Sequence, residues 1–182
     1  MIRAKHRQFY LVIYPKTDAH LGHYVCGGGL DLGLNEEGMD LARKIARRFK
    51  RNPLKIKKII GSPELRAVQM ADIFHDEIRV KLVLWRSFAD QFMGDWEGRP
   101  IQENMDFDHP PRGETEEAFS ARVGAATHEL LLSDEACFVV THLRVARRIL
   151  KFFGLGSEVI EQAVVYAVDL PAGAGQAHLR KI

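Results

Sequence analysis

Short apolar runs alternate along the chain with amphipathic stretches. Residues 9–14 form a run of aromatic and β-branched side chains, the pattern of a buried strand. A loop containing His20, Gly22 and the run Gly27-Gly28-Gly29 follows. Asn35-Glu36-Glu37 then joins a capping side chain to acids in a first turn, which predicts a helix start. Ala42, Ile45, Ala46 and Phe49, three and four residues apart, give that helix one apolar face. Arg47, Arg48, Lys50 and Arg51 gather near its C-terminal end, where cations suit the helix dipole, and Pro53 is expected to stop it. Residues 57–61 are a second expected strand, and Pro63 suits the first turn of a helix running to about residue 76. A third strand is expected over 80–85, and residues 87–114 read as loop, broken by glycines and prolines. A helix over 115–132, a strand over 137–141, a helix over 145–153 and a strand over 163–170 complete the pattern.

Strands alternating with helices predict an α/β sandwich around a mostly parallel sheet. At 182 residues, against roughly 150 per domain, the chain is expected to form one domain over 1–182. Apolar residues make up 46% and charged residues 27%, which excludes a disordered tail or a low-complexity fibre. Lys and Arg number 26 against 24 Asp and Glu, a balance that gives no argument for nucleic acid. The basic stretch from Arg43 to Lys58 is read as a solvated helix face and loop. Two cysteines, Cys26 and Cys137, make no disulfide framework, and no Cys or His spacing suits zinc, so no metal and no cofactor are expected. No apolar run approaches the ~20 residues of a membrane span. A basic start precedes residues 9–14, but Pro15-Lys16-Thr17 stands where a signal peptide has its cleavage site. A cytoplasmic location is expected.

In open α/β sheets, ligands bind beyond the carboxyl ends of the strands. The strand ends here are Tyr14-Pro15-Lys16-Thr17, Ser62-Pro63-Glu64-Leu65-Arg66 and Thr141-His142. Arg66 starts a helix after one strand and His142 opens a helix after another. A guanidinium, an imidazole and helix N-terminal N–H groups together form an oxyanion or phosphate site. The triple glycine is not a phosphate-binding P-loop, because no Gly-Lys-Ser/Thr follows it.

Six stretches carry a family resemblance. They are Leu11-Val12-Ile13-Tyr14-Pro15-Lys16-Thr17, Leu34-Asn35-Glu36-Glu37-Gly38, Ser62-Pro63-Glu64-Leu65-Arg66-Ala67, Gly94-Asp95-Trp96-Glu97-Gly98, Pro111-Arg112-Gly113-Glu114-Thr115 and Val139-Val140-Thr141-His142. In this order, spanning residues 9–170, they resemble the histidine phosphatase superfamily, also called phosphoglycerate mutase-like. The resemblance implies a three-layer α/β/α sandwich with its site at the carboxyl ends of the strands. In that family the first strand ends in Leu-Val-Arg-His-Gly-Glu-Thr, and its His becomes a phosphohistidine. It further implies that Arg66 and His142 hold phosphoryl oxygens and that Asp90 stands at the position of the acid that protonates the leaving group. The nucleophile position falls at Tyr14 and the first Arg at Ile13. Pro15 and Lys16 replace the next Gly and Glu, a family Asn falls near His20, and Leu143 and Arg144 replace two glycines after the second His.

These departures have chemical consequences. A phenol, with its ordinary pKa near 10, is a poor nucleophile without a base, and a phosphotyrosine ester turns over far less readily than a phosphohistidine. Ile13 removes a charged clamp, a contact worth roughly 3 kcal/mol in a transition state. Lys16 and Arg144 are candidate replacement cations for the phosphate. The expectation is a degenerate phosphatase that keeps a partial phosphate pocket and binds a phosphorylated small molecule or phosphoprotein, as a possible homodimer. Two alternatives stand beside it: an active phosphomonoesterase with His20 or His23 as a rewired nucleophile, and an interaction module with a filled pocket. Trp96 and Glu97 are expected to brace the loop under the site, and Phe152, Phe153 and Leu155 to join the core or a subunit interface.

Overall fold

The computed structural model describes residues 8–50, 56–133, 135–171 and 175–182. The expected helix stop at Pro53 and the basic start of the chain lie outside them. Six strands form one sheet: β1 (Gln8–Ile13), β2 (Lys58–Gly61), β3 (Lys81–Leu84), β4 (Cys137–Thr141), β5 (Val165–Asp169) and β6 (His178–Lys181). Their order is β3-β2-β4-β1-β5-β6. The first four run parallel, while β5 is antiparallel to β1 and β6 to β5. Five α-helices are described: α1 (Asp18–Gly22), α2 (Glu36–Lys50), α3 (Leu65–Ile78), α4 (Glu116–Leu132) and α5 (Leu143–Phe152).

The alternation of side chains along β1 explains its unbroken apolar run. Tyr10, Val12 and, just past the strand, Tyr14 face α2 and α3, while Phe9, Leu11 and Ile13 face α4 and α5. Both faces are covered, so neither position of the pleat meets water. Phe138 of β4 stacks on Phe74 of α3 at 4.6 Å between ring centres and meets Phe49 of α2 at 5.0 Å, joining that layer to the sheet. Across the sheet, Phe119, Val123 and Leu130 of α4 meet Val145, Ala146 and Ile149 of α5. The chain is thus the expected α/β/α sandwich.

Two local devices set the geometry near the strand ends. The side-chain oxygen of Asn35 accepts from the Gly38 N–H at 2.8 Å, capping α2. A Cβ on Gly38 would stand 2.3 Å from the carbonyl oxygen of Lys16, so this glycine lets α2 press against the turn after β1. Gly94 has φ +55°, and a Cβ there would meet the Pro111 carbonyl at 2.2 Å, which fixes the Gly94–Trp96 turn against the 111–113 loop. The side chain of Thr115 accepts from the Ala118 N–H and caps α4, which begins one residue later than expected.

The structure adds elements that periodicity did not announce. α1 is a short helix in the predicted loop. β6 is a short edge strand, exposed at His178, Arg180 and Lys181, and its charges protect an open edge. α3 runs two residues further than expected, to Ile78, and α5 begins at Leu143, directly after His142. Phe153 packs on Phe9 at 5.6 Å and belongs to the core, whereas Phe152 is exposed. Among the described residues, no helix is long and apolar enough to cross a membrane.

Candidate functional site

Neighbouring parallel strands end on the same side of a sheet, so the loops after β2, β4 and β1 converge. The turn after β1 delivers Tyr14, the turn after β2 delivers Ser62, Glu64 and Arg66, and the end of β4 delivers His142. Glu64 and His142 are the N-cap residues of α3 and α5, so both sit at the positive ends of helix dipoles. Asp90 arrives from the long 87–114 segment. Arg122 of α4 holds this segment in place. It forms a fork on both oxygens of Glu114 and donates to the carbonyl of Ala89 at 3.0 Å.

All these groups are withdrawn from solvent: Arg66 is 0%, His142 1%, Tyr14 4% and Glu64 5% exposed. The Tyr14 hydroxyl accepts from Arg66 Nε at 2.9 Å and lies 3.2 Å from His142 Nδ1. Arg66 Nη2 donates to the Gly27 carbonyl at 2.7 Å and to Asp90 Oδ2 at 3.5 Å, and Nη1 donates to the Leu30 carbonyl at 3.0 Å. His142 Nε2 stands 2.8 Å from Glu64 Oε2 and 2.9 Å from Ser62 Oγ, while Nδ1 stands 3.3 Å from Asp90 Oδ2. The glycine-rich loop therefore offers carbonyls to Arg66. Its own N–H groups are turned away, Gly28 to the Gln91 carbonyl and Gly29 to Glu97. A P-loop does the reverse and presents N–H groups to phosphate.

The electrostatics follow from this packing. Burial opposes charge on His142, but Asp90 on one ring nitrogen and Glu64 on the other raise its pKa above the ordinary value and favour its charged form. Burial pushes Asp90 upward, yet the charge and hydrogen bond of His142, followed by Arg66, hold it down to about 2. Glu64 is also lowered: burial works against this, and its bonds to His142 and Ser62 overcome it. The Tyr14 phenol is pushed well above its usual range, chiefly by burial, against the pull of Arg66. Arg66 and His142 thus face the two carboxylates of Asp90 and Glu64 around a neutral phenol.

The structure brings Tyr14, Arg66, Asp90 and His142 together. It does not bring Lys16 or Arg144 to them. Lys16 is half exposed, and its ammonium lies 3.3 Å from Glu37 on the surface. Arg144 points toward α4, where Nη2 meets Glu116 at 3.1 Å and the Phe107 carbonyl at 3.3 Å. Each cation is drawn to a carboxylate near at hand, and neither serves as a replacement phosphate ligand here. Ile13 is buried against the α4 and α5 layer, away from the Tyr14 side of the sheet. His20 is exposed, with Nδ1 at 2.8 Å from Thr17 Oγ1 and Nε2 at 2.7 Å from the Gln162 amide, and His23 is an exposed cap of α1. Neither imidazole hydrogen-bonds to the cluster, although the His20 ring packs edge-on against Tyr14 with centroids 6.2 Å apart. Glu97 accepts from the N–H groups of Gly29 and Met93, both at 2.9 Å, bracing the loop below the site as expected.

Sequence reasoning missed Glu64, Ser62 and Arg122. An acid at a helix N-cap before a buried Arg was the available signal for Glu64. Beside Glu64 and Asp90 opens a cavity of about 450 Å³, whose wall carries the carboxylates of Asp31, Glu64, Asp90 and Glu114 and the guanidiniums of Arg86 and Arg122. Arg122 is paired with Glu114, Asp90 with Arg66 and Glu64 with His142, which leaves Asp31 and Arg86 as the opposed charges of this mouth. Among the described residues, no group of three or more His, Cys, Asp or Glu side chains is placed to hold a metal ion. Lys16→Ala is expected to change folding stability by no more than about 0.5 kcal/mol, as for other exposed ion pairs, and a urea titration checks this.

An α/β/α sandwich with an Arg and a His at adjoining strand ends is the framework of phosphoglycerate mutase-like proteins. The sequence model of the Histidine phosphatase superfamily (branch 1) matches residues 10–164, and the chain belongs to that family. No curated protein matches it by sequence. Its fold is similar to the α-ribazole phosphatase of Shigella flexneri, with TM-score 0.82, 20% identity, and coverage of 96% of this chain and 95% of that one. It is also similar to Bacillus stearothermophilus YhfR, with TM-score 0.80, 20% identity, and coverage of 96% and 95%. A mycobacterial glucosyl-3-phosphoglycerate phosphatase in complex with VO3 aligns with TM-score 0.75 and 16% identity, covering 97% of each chain.

Proposed function

We propose that this chain is a pseudophosphatase: a histidine phosphatase-fold protein that does not transfer phosphoryl groups and acts by recognition. The observation that carries this reading is the state of Tyr14. Its hydroxyl stands between Arg66 and His142, buried and protonated. Attack on phosphorus needs an oxygen freed of its proton by a neighbouring base. The nearest ring nitrogen belongs to His142, whose raised pKa favours the protonated form, and the carboxylate of Asp90 is held by His142 and Arg66. Asp90 cannot act as the general acid either, because it carries no proton to give to a leaving group at neutral pH.

Support for a filled pocket over a retained phosphate pocket comes from Arg66. Its Nε, Nη1 and Nη2 are all committed to protein oxygens. A phosphate monoester would have to break those bonds and enter past the carboxylates of the cavity mouth. Recognition of a phosphorylated molecule or phosphoprotein therefore gives way, in this reading, to a binding role that does not use this pocket as a phosphate site. The test is hydrolysis of a generic aryl phosphate at pH 5 to 8. The expected result is no release above the buffer rate. Turnover at ordinary enzyme rates, abolished by His142→Ala, would overturn the proposal.

A further inference from the structure

A phosphoryl group in a phosphatase pocket brings several oxygens and about two negative charges to its cationic ligands. The pocket of this chain already contains that inventory, supplied from within. The Tyr14 hydroxyl lies on Arg66 Nε and His142 Nδ1, at 2.9 and 3.2 Å. Asp90 Oδ2 lies on Arg66 Nη2 and His142 Nδ1, at 3.5 and 3.3 Å. Glu64 Oε2 lies on His142 Nε2 at 2.8 Å. Three oxygens from three separate segments thus cover the faces of the two side chains that the fold provides for phosphate. The two carboxylates carry the charge of a phosphate dianion.

We propose that Tyr14, Asp90 and Glu64 form a built-in phosphoryl surrogate, and that Glu64 is the residue that shuts the pocket to external oxyanions. The proposal rests on the absence of phosphoryl transfer argued above and adds the means by which the site is closed. Glu64 is singled out for three reasons. It lies on His142 Nε2 at 2.8 Å, and Ser62 Oγ, on the same nitrogen at 2.9 Å, donates to the same Glu64 oxygen. Its other oxygen accepts from the Asp90 N–H at 3.2 Å, so it also anchors the second carboxylate. It lines the cavity, which is the side from which an anion arrives. Its removal takes a carboxylate from the buried His142 ring and leaves an opening beside it, which another anion can fill.

The test is replacement of the surrogate by inorganic phosphate. Wild type, Glu64→Ala and Asp90→Ala are melted at pH 7 in sodium phosphate and in sodium chloride of equal ionic strength. Wild type is expected to melt alike in both salts. Glu64→Ala is expected to melt lower in chloride and to regain at least half of the loss in millimolar phosphate, along a saturating curve. Equal recovery in chloride and phosphate would overturn the proposal. If Glu64→Ala does not fold in either salt, the near-isosteric Glu64→Gln decides. Titrated by phosphorus NMR, it is expected to bind inorganic phosphate at least tenfold more tightly than wild type, and equal affinity would overturn the proposal. These readouts are independent of hydrolysis. Turnover by wild type counts against the reading of function, whereas a variant that ignores phosphate counts only against the surrogate.

Discussion

Arg66→Ala is expected to cost about 3–5 kcal/mol of folding stability, the range for stripping one partner from a buried charged network. Arg66 is the largest fully buried side chain among the described residues. Its removal strands the Gly27 carbonyl, takes a donor from the Leu30 carbonyl and the Tyr14 hydroxyl, and leaves Asp90 without its guanidinium partner. A buried polar group left without a partner costs about 1–3 kcal/mol, and the space vacated adds a cavity. Arg66→Lys is expected to lose a large part of the same stability although it keeps the charge. A lysine has one nitrogen, and the native bonds leave from three nitrogens of a rigid fork. Urea unfolding followed by circular dichroism measures both. A loss below about 1 kcal/mol for Arg66→Ala would mean that the network does not hold the loop after α1 to α3.

Stability is expected to fall steeply in acid, and Asp90 accounts for a definable share. Its pKa is held at about 2, below an ordinary value near 3.9. A depressed carboxylate contributes stability that is present above its unfolded pKa and lost as pH falls through the folded one. Asp90 should therefore give up about 2 kcal/mol between roughly pH 5 and pH 2. Glu64, also depressed, adds in the same direction. His142 acts oppositely. Its raised pKa gives stability that is complete below about pH 6.5 and fades as pH rises through the folded value. The network is thus most stabilising in the mildly acidic range. The contributions overlap, because Asp90 and Glu64 act partly through the charge on His142, so they do not add as independent amounts. The measurement is the melting temperature of wild type and Asp90→Asn from pH 3 to pH 8. The variant should start lower at pH 6 and lose less toward pH 3. Parallel curves would contradict the assignment.

Much of the scaffold was legible in the residues. The apolar face of α2, the cap and acids at its start, and the strands at β1 and β4 each carry a period or a capping signal that needs no partner to be recognised. α1 and β6 were missed for physical reasons. α1 has a single buried residue, Ala19, so it shows no apolar stripe. β6 has no fully buried residue, and it exists because β5 offers it an edge. Within the site, Arg66 and His142 were legible because a residue that closes a strand or opens a helix has a fixed place in an α/β sheet, whereas Asp90 was reached only through the family resemblance. Lys16 and Arg144 were misplaced because long cationic side chains reach whichever carboxylate lies near, and Glu37 and Glu116 are far from them in sequence.

By itself the sequence determined that apolar strands would be sandwiched between helices, and that a ring bearing a hydroxyl would stand at the end of the first strand. Only the tertiary structure decided the electrical state of the pocket. That state depends on pairs such as Glu64 with His142 and Arg66 with the Gly27 carbonyl, which the chain brings together across 78 and 39 residues. The strength of such pairs comes from exclusion of water, and exclusion of water is a property of the assembled sheet, helices and loops rather than of any one segment.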